Sequence, residues 1–335
     1  IMHNINSGYG LLSAMAVANG VSTFGKFFVV MPSTDPNYQK WSQLAKVDQD
    51  GEIRLFTSLD DAYDAVVTQR NDVIFLSAYA THSLSEGLAV SKSRVHFIGL
   101  DGGDRLQAQG TKVQLATAAT TAYVMRNTGT RNSFRNIKFI MAATANTGLH
   151  VVEEGGEGTV YKNCSFAFGV VDNLDLTTAV EFTCGSDSAT YLNCTFGAAT
   201  LTTTASGGRK VLIYDAVTGG ATTPRDNIFK DCIFTIESSD AGSQFVAMAA
   251  SGDAKGINLF ENCSFVASKV NGGGIALTKA VSTANGLTDG VFCYSYPRAF
   301  NCTDFGTNGT NNDNLQVVAP LSVTTDIIGI APTAT

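Results

Sequence analysis

The chain of 335 residues is long enough for one large domain with small appendages, and a composition of 44% hydrophobic and 15% charged residues argues against intrinsic disorder. A formal net charge of −7 and a pI near 5.1 argue against electrostatic binding of nucleic acid, and acidic polysaccharides would be repelled outside a local basic patch. No uninterrupted run of 18 apolar residues predicts a membrane span, because the nearest candidate, 8–30, is broken by polar residues and Lys26.

The first 54 residues predict an N-terminal arm and linker rather than a core of their own. Residues 1–31 are rich in Gly and Ala and nearly uncharged, so this arm must either pack on the body or dock into a neighbouring subunit, and we favour docking. The beginning of the sequence lacks the basic segment, apolar run and cleavage site of a signal peptide. Residues 32–36 predict a linker, and residues 37–45 predict a short helix that holds the only tryptophan, Trp41.

An amphipathic helix is predicted at 57–67, after a turn. The turn, 48–51 (Asp-Gln-Asp-Gly), resembles the opening of a calcium loop but lacks the downstream Glu, so it predicts a hairpin. Ser58 and Asp61 can cap the helix N-terminus, and the acidic first turn suits the helix dipole. The helix has one apolar stripe that needs a surface to cover, formed by Leu59, Ala62, Tyr63 and Val66.

Short apolar strands separated by loops rich in Gly, Asp, Ser and Thr are predicted over the rest of the chain. The first three predicted strands are 73–76, 87–90 and 94–98, and a glycine-rich turn follows them at 99–103. Five later strands are predicted at 149–152, 179–183, 210–214, 245–249 and 274–277.

A six-residue motif recurs five times among these strands: an aromatic residue, any residue, Asn or Asp, Cys or Ile, any residue, and Phe. Its copies begin at Phe134, Tyr161, Tyr191, Phe229 and Phe260, which are separated by 27, 30, 38 and 31 positions. A unit repeated at this spacing predicts stacked structural repeats rather than one wrapped core. The gap of 38 predicts a protruding loop near 202–224.

The internal parity of the motif predicts a tight bend at its Asn or Asp. Side chains alternate faces along a strand, so the first aromatic residue, the Cys and the Phe can all point inward only if the alternation shifts by one residue at the Asn. Asn and Asp tolerate the left-handed backbone conformation that such a bend needs. If the bends stack at the strand spacing of about 4.8 Å, their amides hydrogen-bond along the stack.

An asparagine column at a bend between short strands, with stacked aromatic residues inside, resembles the right-handed parallel β-helix of the pectin-lyase-like superfamily, over residues 55–305. That superfamily includes polysaccharide lyases, polygalacturonases, and tailspike and decoration proteins of bacteriophages. The resemblance implies an all-β, single-stranded, right-handed parallel β-helix, closed at its N-terminal end by the short helix at 57–67 because unpaired strand edges invite aggregation. Residues 1–54 and 306–335 are then small appendages.

The motif fails after its fifth copy. Phe300 to Phe305 keeps the Asn and Cys but shifts both aromatic residues, which predicts a distorted last coil. The tail at 306–335 holds two predicted strands, 315–318 and 327–330, and suits capping or pairing with another chain.

The motif itself contains residues that could carry chemistry. Four of the seven cysteines occupy the same position of the repeated motif: Cys164, Cys194, Cys232 and Cys263. Equivalent residues of stacked coils are close enough for a disulfide, but we favour packed free thiols. No CxxC pair indicates zinc. Four asparagines also match the glycosylation pattern, but a column Asn is buried, so we expect no modification at Asn163, Asn193, Asn262 or Asn301.

Candidate catalytic or metal-binding carboxylates are few. Glu153, Glu154 and Glu157 form an acidic Gly-rich segment that could hold calcium, but a solvated loop is the favoured interpretation. The same holds for Asp172 and Asp175. A further group consists of Asp101, Asp104 and Arg105. We expect these residues to complete the turn of the first coil rather than to act as acid and base.

The basic residues and histidines add little to this set. The four histidines are scattered along the chain: His3, His82, His96 and His150. His96 and His150 lie within predicted strands, where packing is the favoured interpretation over catalysis. Arg131, Arg135 and Lys138 form one local basic cluster that could touch an acidic glycan or a subunit, although a solvated outer face is the favoured interpretation. No aspartate triplet like that of polygalacturonases, and no set like the calcium-binding Asp and Arg of pectate lyases, maps onto the sequence. We therefore assign no catalytic, ligand or metal site and no cofactor.

The leading hypothesis is a non-enzymatic structural protein of a bacteriophage particle, an external decoration or spike-like component on the virion surface. The apolar arm and the strand-rich tail would contact other virion proteins, the resemblance implies a homotrimer, and a host glycan is a further candidate partner. One alternative is a polysaccharide depolymerase, a lyase or glycoside hydrolase on the same fold. Another is a cell-surface adhesin, which the missing export signal disfavours.

Overall fold

The chain folds as a right-handed parallel β-helix in a computed structural model. Three parallel sheets, named A, B and C, run along its length, and the chain passes from A to B to C in each coil. The structure describes residues 8–21, 24–45, 51–101, 108–143, 150–169, 179–198, 201–203, 208–221, 223–249, 254–269, 274–282, 289–305 and 315–318.

The described elements are three helices and 28 strands, and every strand pair is parallel. The helices are α1 (Gly8–Ala18), α2 (Tyr38–Ala45) and α3 (Leu59–Ala65). In spatial order, sheet A consists of β2 (Leu55–Phe56), β1 (Phe27–Val30), β3 (Asp72–Leu76), β6 (Val95–Gly99), β9 (Ser133–Arg135), β12 (Val160–Lys162), β15 (Thr190–Leu192), β19 (Ile228–Lys230), β22 (Lys255–Glu261), β25 (Asp289–Ser295) and β28 (Leu315–Val318). Sheet B consists of β4 (Thr81–Leu84), β7 (Lys112–Leu115), β10 (Lys138–Met141), β13 (Ser165–Phe168), β16 (Thr195–Phe196), β20 (Ile233–Ser238) with β17 (Thr202–Thr203) beside it, β23 (Ser264–Ala267) and β26 (Arg298–Phe300). Sheet C consists of β5 (Leu88–Val90), β8 (Tyr123–Asn127), β11 (His150–Glu154), β14 (Val180–Cys184), β18 (Lys210–Tyr214) and β21 (Gln244–Met248), and β24 (Leu277–Lys279) pairs with β27 (Cys302–Asp304).

The predicted bend lies between sheets A and B and is confirmed in every copy of the motif. The Asn or Asp has a positive φ of 52–59° in all five copies, and Asn301 of the distorted copy has 60°. The amides link neighbouring coils in places: Asn163 Nδ2 donates to Asn136 Oδ1 at 3.0 Å, and Asn262 Nδ2 donates to Asp231 Oδ1 at 2.6 Å. The bend turns each chain segment from one sheet to the next at the same height in every coil.

Two columns of aromatic rings fill the interior that the bend creates. The first aromatic residues of the five motif copies stack face to face, and the column continues to Phe97 and Tyr63 at one end and to Tyr294 at the other, with centroids 4.3–6.3 Å apart. The Phe residues that end the motif form the second column, at 4.8–5.7 Å. Between the columns lie buried free thiols, and several donate to strand carbonyls, as Cys164 does to Phe134 O at 3.4 Å. Burial raises the pKa of the Cys164 thiol.

Helix α3 closes the N-terminal end of the interior, as predicted. Ser58 caps it by accepting a hydrogen bond from Asp61 N at 3.1 Å, and Leu59, Ala62 and Tyr63 are buried in the main core. The Tyr63 ring lies 6.3 Å from that of Phe97, so the helix supplies the first ring of the aromatic column.

The described part of the N-terminal arm packs on the chain's own body, which is the course we did not favour. Helix α1 and strand β1, with α2, form a second apolar cluster on the outer face of sheet A. Leu12 and Ala16 of α1 are buried there, and the Trp41 ring of α2 packs against the same cluster. The outer face of β1 and β3 is as apolar as the inner face, and burial of both faces explains the position of the arm. Residues 1–7 lie outside the described residues.

The longer loop expected near 202–224 is present at 215–227, which overlaps that range, but it folds back onto the body of the protein instead of protruding. Strands β17 and β18 occupy part of that range, and the additional residues lie in the turn between sheets C and A, which has five residues at 185–189 but 13 at 215–227. This turn does not protrude: Ala221 N donates to Gly155 O at 2.8 Å, and Val217 is buried. The strand predicted at 315–318 is confirmed as β28, and 327–330 lies outside the described residues.

Candidate functional site

The acidic segment at 153–157 does not form the solvated loop that its composition favours. Glu153 and Glu154 end strand β11, and their side chains point to opposite faces of sheet C because they are neighbours on one strand. Glu154 is fully buried, whereas Glu157 lies exposed in the following turn. The three carboxylates therefore point in different directions, and in the part of the chain that the structure describes no three His, Cys, Asp or Glu side chains converge as a metal site would require.

Glu154 is the centre of a buried hydrogen-bond network inside the corner between sheets C and A. Its oxygens accept hydrogen bonds from Tyr161 Oη at 2.5 Å, from Gly156 N at 2.6 Å and from Asn127 Nδ2 at 2.9 Å. Burial raises the pKa of the Glu154 carboxyl to about 7, against the opposing effect of these donors. Because the side chain is sealed from solvent, this network supports the corner and offers nothing to a substrate.

The polar cluster that reaches the surface lies on the outer face of sheet C and joins three neighbouring strands. Arg126 of β8, Glu153 of β11 and Thr183 of β14 share one register column. The Arg126 guanidinium donates through Nε to Glu153 Oε2, and its Cζ lies 4.3 Å from the ring centroid of Tyr123. His150 Nε2 lies 3.7 Å from Glu153 Oε1, and its Nδ1 lies 2.8 Å from Thr183 Oγ1.

The electrostatics of this cluster favour a charged Arg126 and a neutral His150. The hydrogen bond to Glu153 raises the pKa of the Arg126 guanidinium. Burial lowers the pKa of the His150 imidazole, with Arg126 acting in the same direction and the carboxylates of Glu153 and Asp215 opposing. Asp215 belongs to the long turn 215–227, which brings a second carboxylate towards the cluster.

The chemistry open to this cluster is limited by its internal pairing. Glycoside hydrolysis by the common route uses two carboxyl groups that flank the bond, one as acid and one as base or nucleophile. Glu153 Oε2 accepts a hydrogen bond from Arg126, His150 Nε2 lies 3.7 Å from Oε1, and the Glu153 side chain is only 11% exposed. A largely covered carboxylate that is paired with a neighbouring Arg is poorly placed to exchange protons with a substrate.

The remaining sequence candidates are dispersed. Arg131 lies in the turn before sheet A, Arg135 on the outer face of sheet A and Lys138 on the outer face of sheet B, because the chain bends between the last two. Asp101 is exposed at the end of β6. Outside the described residues lie Asp104, Arg105, Asp172, Asp175 and His3.

The other two described histidines have packing partners, which was expected for His96. His82 occupies an inner position of sheet B, with Nε2 at 2.9 Å from Ser77 O, and His96 Nδ1 lies 2.9 Å from Ser133 Oγ on the outer face of sheet A. Burial lowers the pKa of both imidazoles, to about 4 for His96. Both rings are therefore neutral at pH 7.

Sequence reasoning did not single out Arg126, Thr183 or Asp215. A signal for the first pair existed, because Arg126 and Glu153 are 27 positions apart, which equals the first repeat interval of the motif. Residues separated by one repeat interval lie side by side on adjacent strands. Asp215 had no such signal, since it lies in a turn whose length differs from that of the other coils.

Comparison with known proteins supports the fold. No family model matches the sequence, and no curated protein matches it. Among solved structures, the pectin methylesterase of Aspergillus niger has a TM-score of 0.50 at 12% identity, over 91% of this chain and 93% of that chain. The pectate lyase Pel9A has a TM-score of 0.52 at 11% identity, over 91% of this chain and 79% of that chain. A protein of Geobacillus virus E2, ORF18, has a TM-score of 0.39 at 10% identity, over 77% of this chain and 55% of that chain, which is too low to carry an inference.

These likenesses confirm the right-handed parallel β-helix expected from the asparagine motif, and at such identities they show the fold alone. No helix in the described ranges is long and apolar enough to cross a membrane.

Proposed function

We propose that the protein is a non-enzymatic structural component of a bacteriophage particle, an external decoration or spike-like protein. The observation that carries the proposal is the polar cluster on the outer face of sheet C, where Arg126 Nε donates to Glu153 Oε2, His150 lies beside the other oxygen, and the Glu153 side chain is only 11% exposed. Such pairing ties neighbouring coils together, which is what a structural surface needs, and it opposes the acid and base chemistry of a depolymerase.

The construction of the interior supports the same proposal. Two stacked aromatic columns run along the described coils, and helix α3 closes one end. Stacked coils with paired strands and a closed end give a rigid rod that resists proteolysis, because few backbone groups are left for a protease to bind. The low charge and the many Gly, Thr and Ala residues resemble those of virion proteins of this fold.

The proposal includes an assembly and a location. The protein would lie on the outside of the particle as a homo-oligomer, with a trimer as the form that the resemblance implies. Residues 1–31 and the C-terminal tail would contact other virion proteins, and a host glycan is a candidate ligand. The part of the arm that packs on sheet A still presents an exposed aromatic ring, Phe24, which is 91% exposed.

Mass spectrometry of purified phage particles tests the proposal. The protein should be present at a stoichiometry of many copies per particle, and antibodies raised against the chain should label the outside of intact particles. Absence of the protein from washed particles, with abundant protein in the lysate, would overturn the proposal.

A polysaccharide depolymerase is the second candidate, and the observation that favours it is the partly exposed cluster of Arg126, His150 and Glu153 on the outer face of sheet C. A panel of acidic and neutral polysaccharides should be incubated with the protein, with unsaturated-product absorbance and reducing-end assays as readouts. Turnover that is lost in Glu153→Gln, but kept in a variant of the exposed Glu157, Glu157→Gln, would establish the enzyme. We expect no turnover.

A further inference from the structure

The last described bend between sheets A and B differs from the others in the residue that makes it. Register pairs Tyr294 with Phe260 and Ala299 with Phe265, so this segment occupies the position of the six-residue motif in the next coil. Tyr296 therefore stands where the five motif copies have Asn or Asp, and its φ of 53° lies within their range of 52–59°. The coil keeps the bend and replaces its usual residue with an aromatic one.

Tyr is a costly residue for this bend. Asn and Asp tolerate a left-handed φ, whereas a bulky side chain at such a φ is an outlier that costs free energy. A phenol also has no amide with which to continue the column, in which Asn262 Nδ2 donates to Asp231 Oδ1. The column ends instead at Arg298, whose Nη2 donates to Asn262 Oδ1 at 2.6 Å. Neither the bend nor the column accounts for Tyr296, and residues that break a local rule in this way concentrate at binding sites.

A second exposed ring follows Tyr296 on the next strand, β26. Tyr296 is 55% exposed and Phe300 is 53% exposed. Phe300 shares the outer face of β26 with Arg298, because both alternate with the inward Ala299. Four residues of extended chain span at most about 13 Å, so the two rings lie within the reach of one short oligosaccharide. The exposed Arg298 lies between them.

The surroundings of the two rings are mainly polar. Ser295 directly precedes Tyr296, and Ser264 is the register partner of Arg298. The half-buried Val266, the partner of Phe300, is the one apolar neighbour in that register. Two rings in such surroundings offer far less apolar area than the about 800 Å² that each partner of a stable protein complex buries. The surface therefore suits a small amphipathic ligand better than another protein.

A pyranose sugar has the two kinds of surface that these side chains recognise. One face of its ring carries C–H groups and packs on an aromatic ring, and its rim carries hydroxyl groups. The Arg guanidinium presents five N–H donors in one plane, and neighbouring hydroxyl oxygens can accept from it. The net charge of −7 opposes a carboxylated or phosphorylated polymer, so a neutral sugar fits better.

We propose that Tyr296, Arg298 and Phe300 form a binding site for a neutral hexopyranose oligosaccharide that lies along the outer face of β26. The two rings stack on sugar units, and the Arg298 guanidinium donates to the hydroxyl groups between them. The site lies far from the N-terminal arm, because eight strand spacings, roughly 38 Å, separate β1 from β25. A protein held to a particle by its arm presents this end outwards. The inference rests on the proposed function for the source of the sugar, the host surface, and names the ligand class and its site.

Saturation-transfer NMR of the full chain with defined hexasaccharides tests the inference. The neutral probes are cellohexaose, laminarihexaose, maltohexaose, mannohexaose and chitohexaose, and hexagalacturonate is the anionic comparison. At least one neutral probe should bind, with saturation strongest at the C–H protons of the sugar rings. Titration calorimetry with that probe then gives the affinity of each variant.

Tyr296→Asn separates binding from folding, because it restores the residue of the motif. It should weaken binding about tenfold and raise the thermal midpoint, since the strain is relieved and an amide rejoins the column. Phe300→Ser should weaken binding to a similar degree with little change in the midpoint, because the ring is exposed. The matched control is Tyr79→Ser, at a ring that is 75% exposed in the turn before β4, and it should bind as the wild type does.

Three results overturn the inference. They are binding of none of the neutral probes, binding of hexagalacturonate alone, and an affinity that Tyr296→Asn leaves unchanged. A midpoint that falls in Tyr296→Asn shows that the ring serves the fold, and it removes the argument from the bend.

These outcomes are separable from those of the proposed function. Binding that depends on Tyr296, by a protein absent from particles, refutes the virion role and leaves the site standing. A protein found on the outside of particles that binds no neutral probe does the reverse.

Discussion

Replacing Glu154 by Gln should remove a pH dependence of stability that the buried carboxyl creates. In the folded protein the pKa of Glu154 is raised to about 7 by burial, and in the unfolded chain it returns to about 4.5. Between these pH values the folded state holds a proton that the unfolded state has released. The contribution to stability is therefore fully present below about pH 4.5 and is lost as the pH rises through about 7.

The size of the effect follows from the difference between the two pKa values. One pKa unit corresponds to about 1.36 kcal/mol, so a pKa that falls from about 7 to about 4.5 on unfolding is worth roughly 3 kcal/mol. Gln cannot titrate, so Glu154→Gln should flatten the curve by this amount. Its absolute stability should also fall, because an amide has one oxygen, and the NH2 group that replaces the other oxygen would face Asn127 Nδ2, which can only donate.

Urea unfolding followed by far-UV circular dichroism at several pH values between 4.5 and 8 measures the effect. The free energy of unfolding of the wild type should fall with rising pH more steeply than that of Glu154→Gln. The control is Glu157→Gln, which removes an exposed carboxylate from the adjacent turn and should follow the wild type. Parallel curves for the wild type and Glu154→Gln across this range would refute the reasoning.

Three further perturbations probe the columns and the bends. Phe234→Ala removes a fully buried ring that stacks on Phe196 at 4.8 Å and on Phe265 at 5.0 Å. The free energy of unfolding in urea should fall by about 3–5 kcal/mol. A near-zero loss would show that the column is misassigned. Gly197→Ala should lower the thermal midpoint, because Gly197 has a φ of +97° and a Cβ there would lie 1.9 Å from Thr235 O. The control is Gly51→Ala, which is also at positive φ but has no atom near its Cβ position, and it should lower the midpoint less. Equal losses in the two variants would contradict the crowding argument. The Cys232 thiol, buried and with its pKa raised by burial, should react with a thiol reagent only after denaturant is added, and rapid labelling of Cys232 in native protein, read by peptide mapping, would contradict a closed interior.

The architecture was predictable from the sequence because it depends on a local rule repeated at a fixed interval. Only a shift in strand parity at the Asn puts the aromatic residue, the Cys and the Phe of each motif inside, and this bend is present at Asn163 and its equivalents. The cap of α3 was predictable for the same reason, since Ser58 and Asp61 are neighbours in sequence.

The candidate site was not predictable to the same degree, because its partners come from different coils. Composition around Glu154 favours a solvated acidic turn, yet its donor Asn127 lies one coil earlier and fixes the carboxyl in the interior. The basic residues Arg135 and Lys138 are close in sequence, yet the bend between them sends the two side chains to different sheets. Local sequence patterns indicate where the chain turns, but they do not indicate which residues of other coils the turn brings into contact.

The long turn at 215–227 separates what the fold must keep from what it can change. It adds eight residues relative to the turn at 185–189, yet Ile228, Phe229 and Lys230 pair with Thr190, Tyr191 and Leu192 in unbroken register. Closing a longer loop costs little additional entropy, so an insertion at this corner is tolerated while an insertion within a strand is not. The corner is thus a place where the sequence can diverge in length, or accept a foreign peptide for display, without disturbing the stack of coils beneath it.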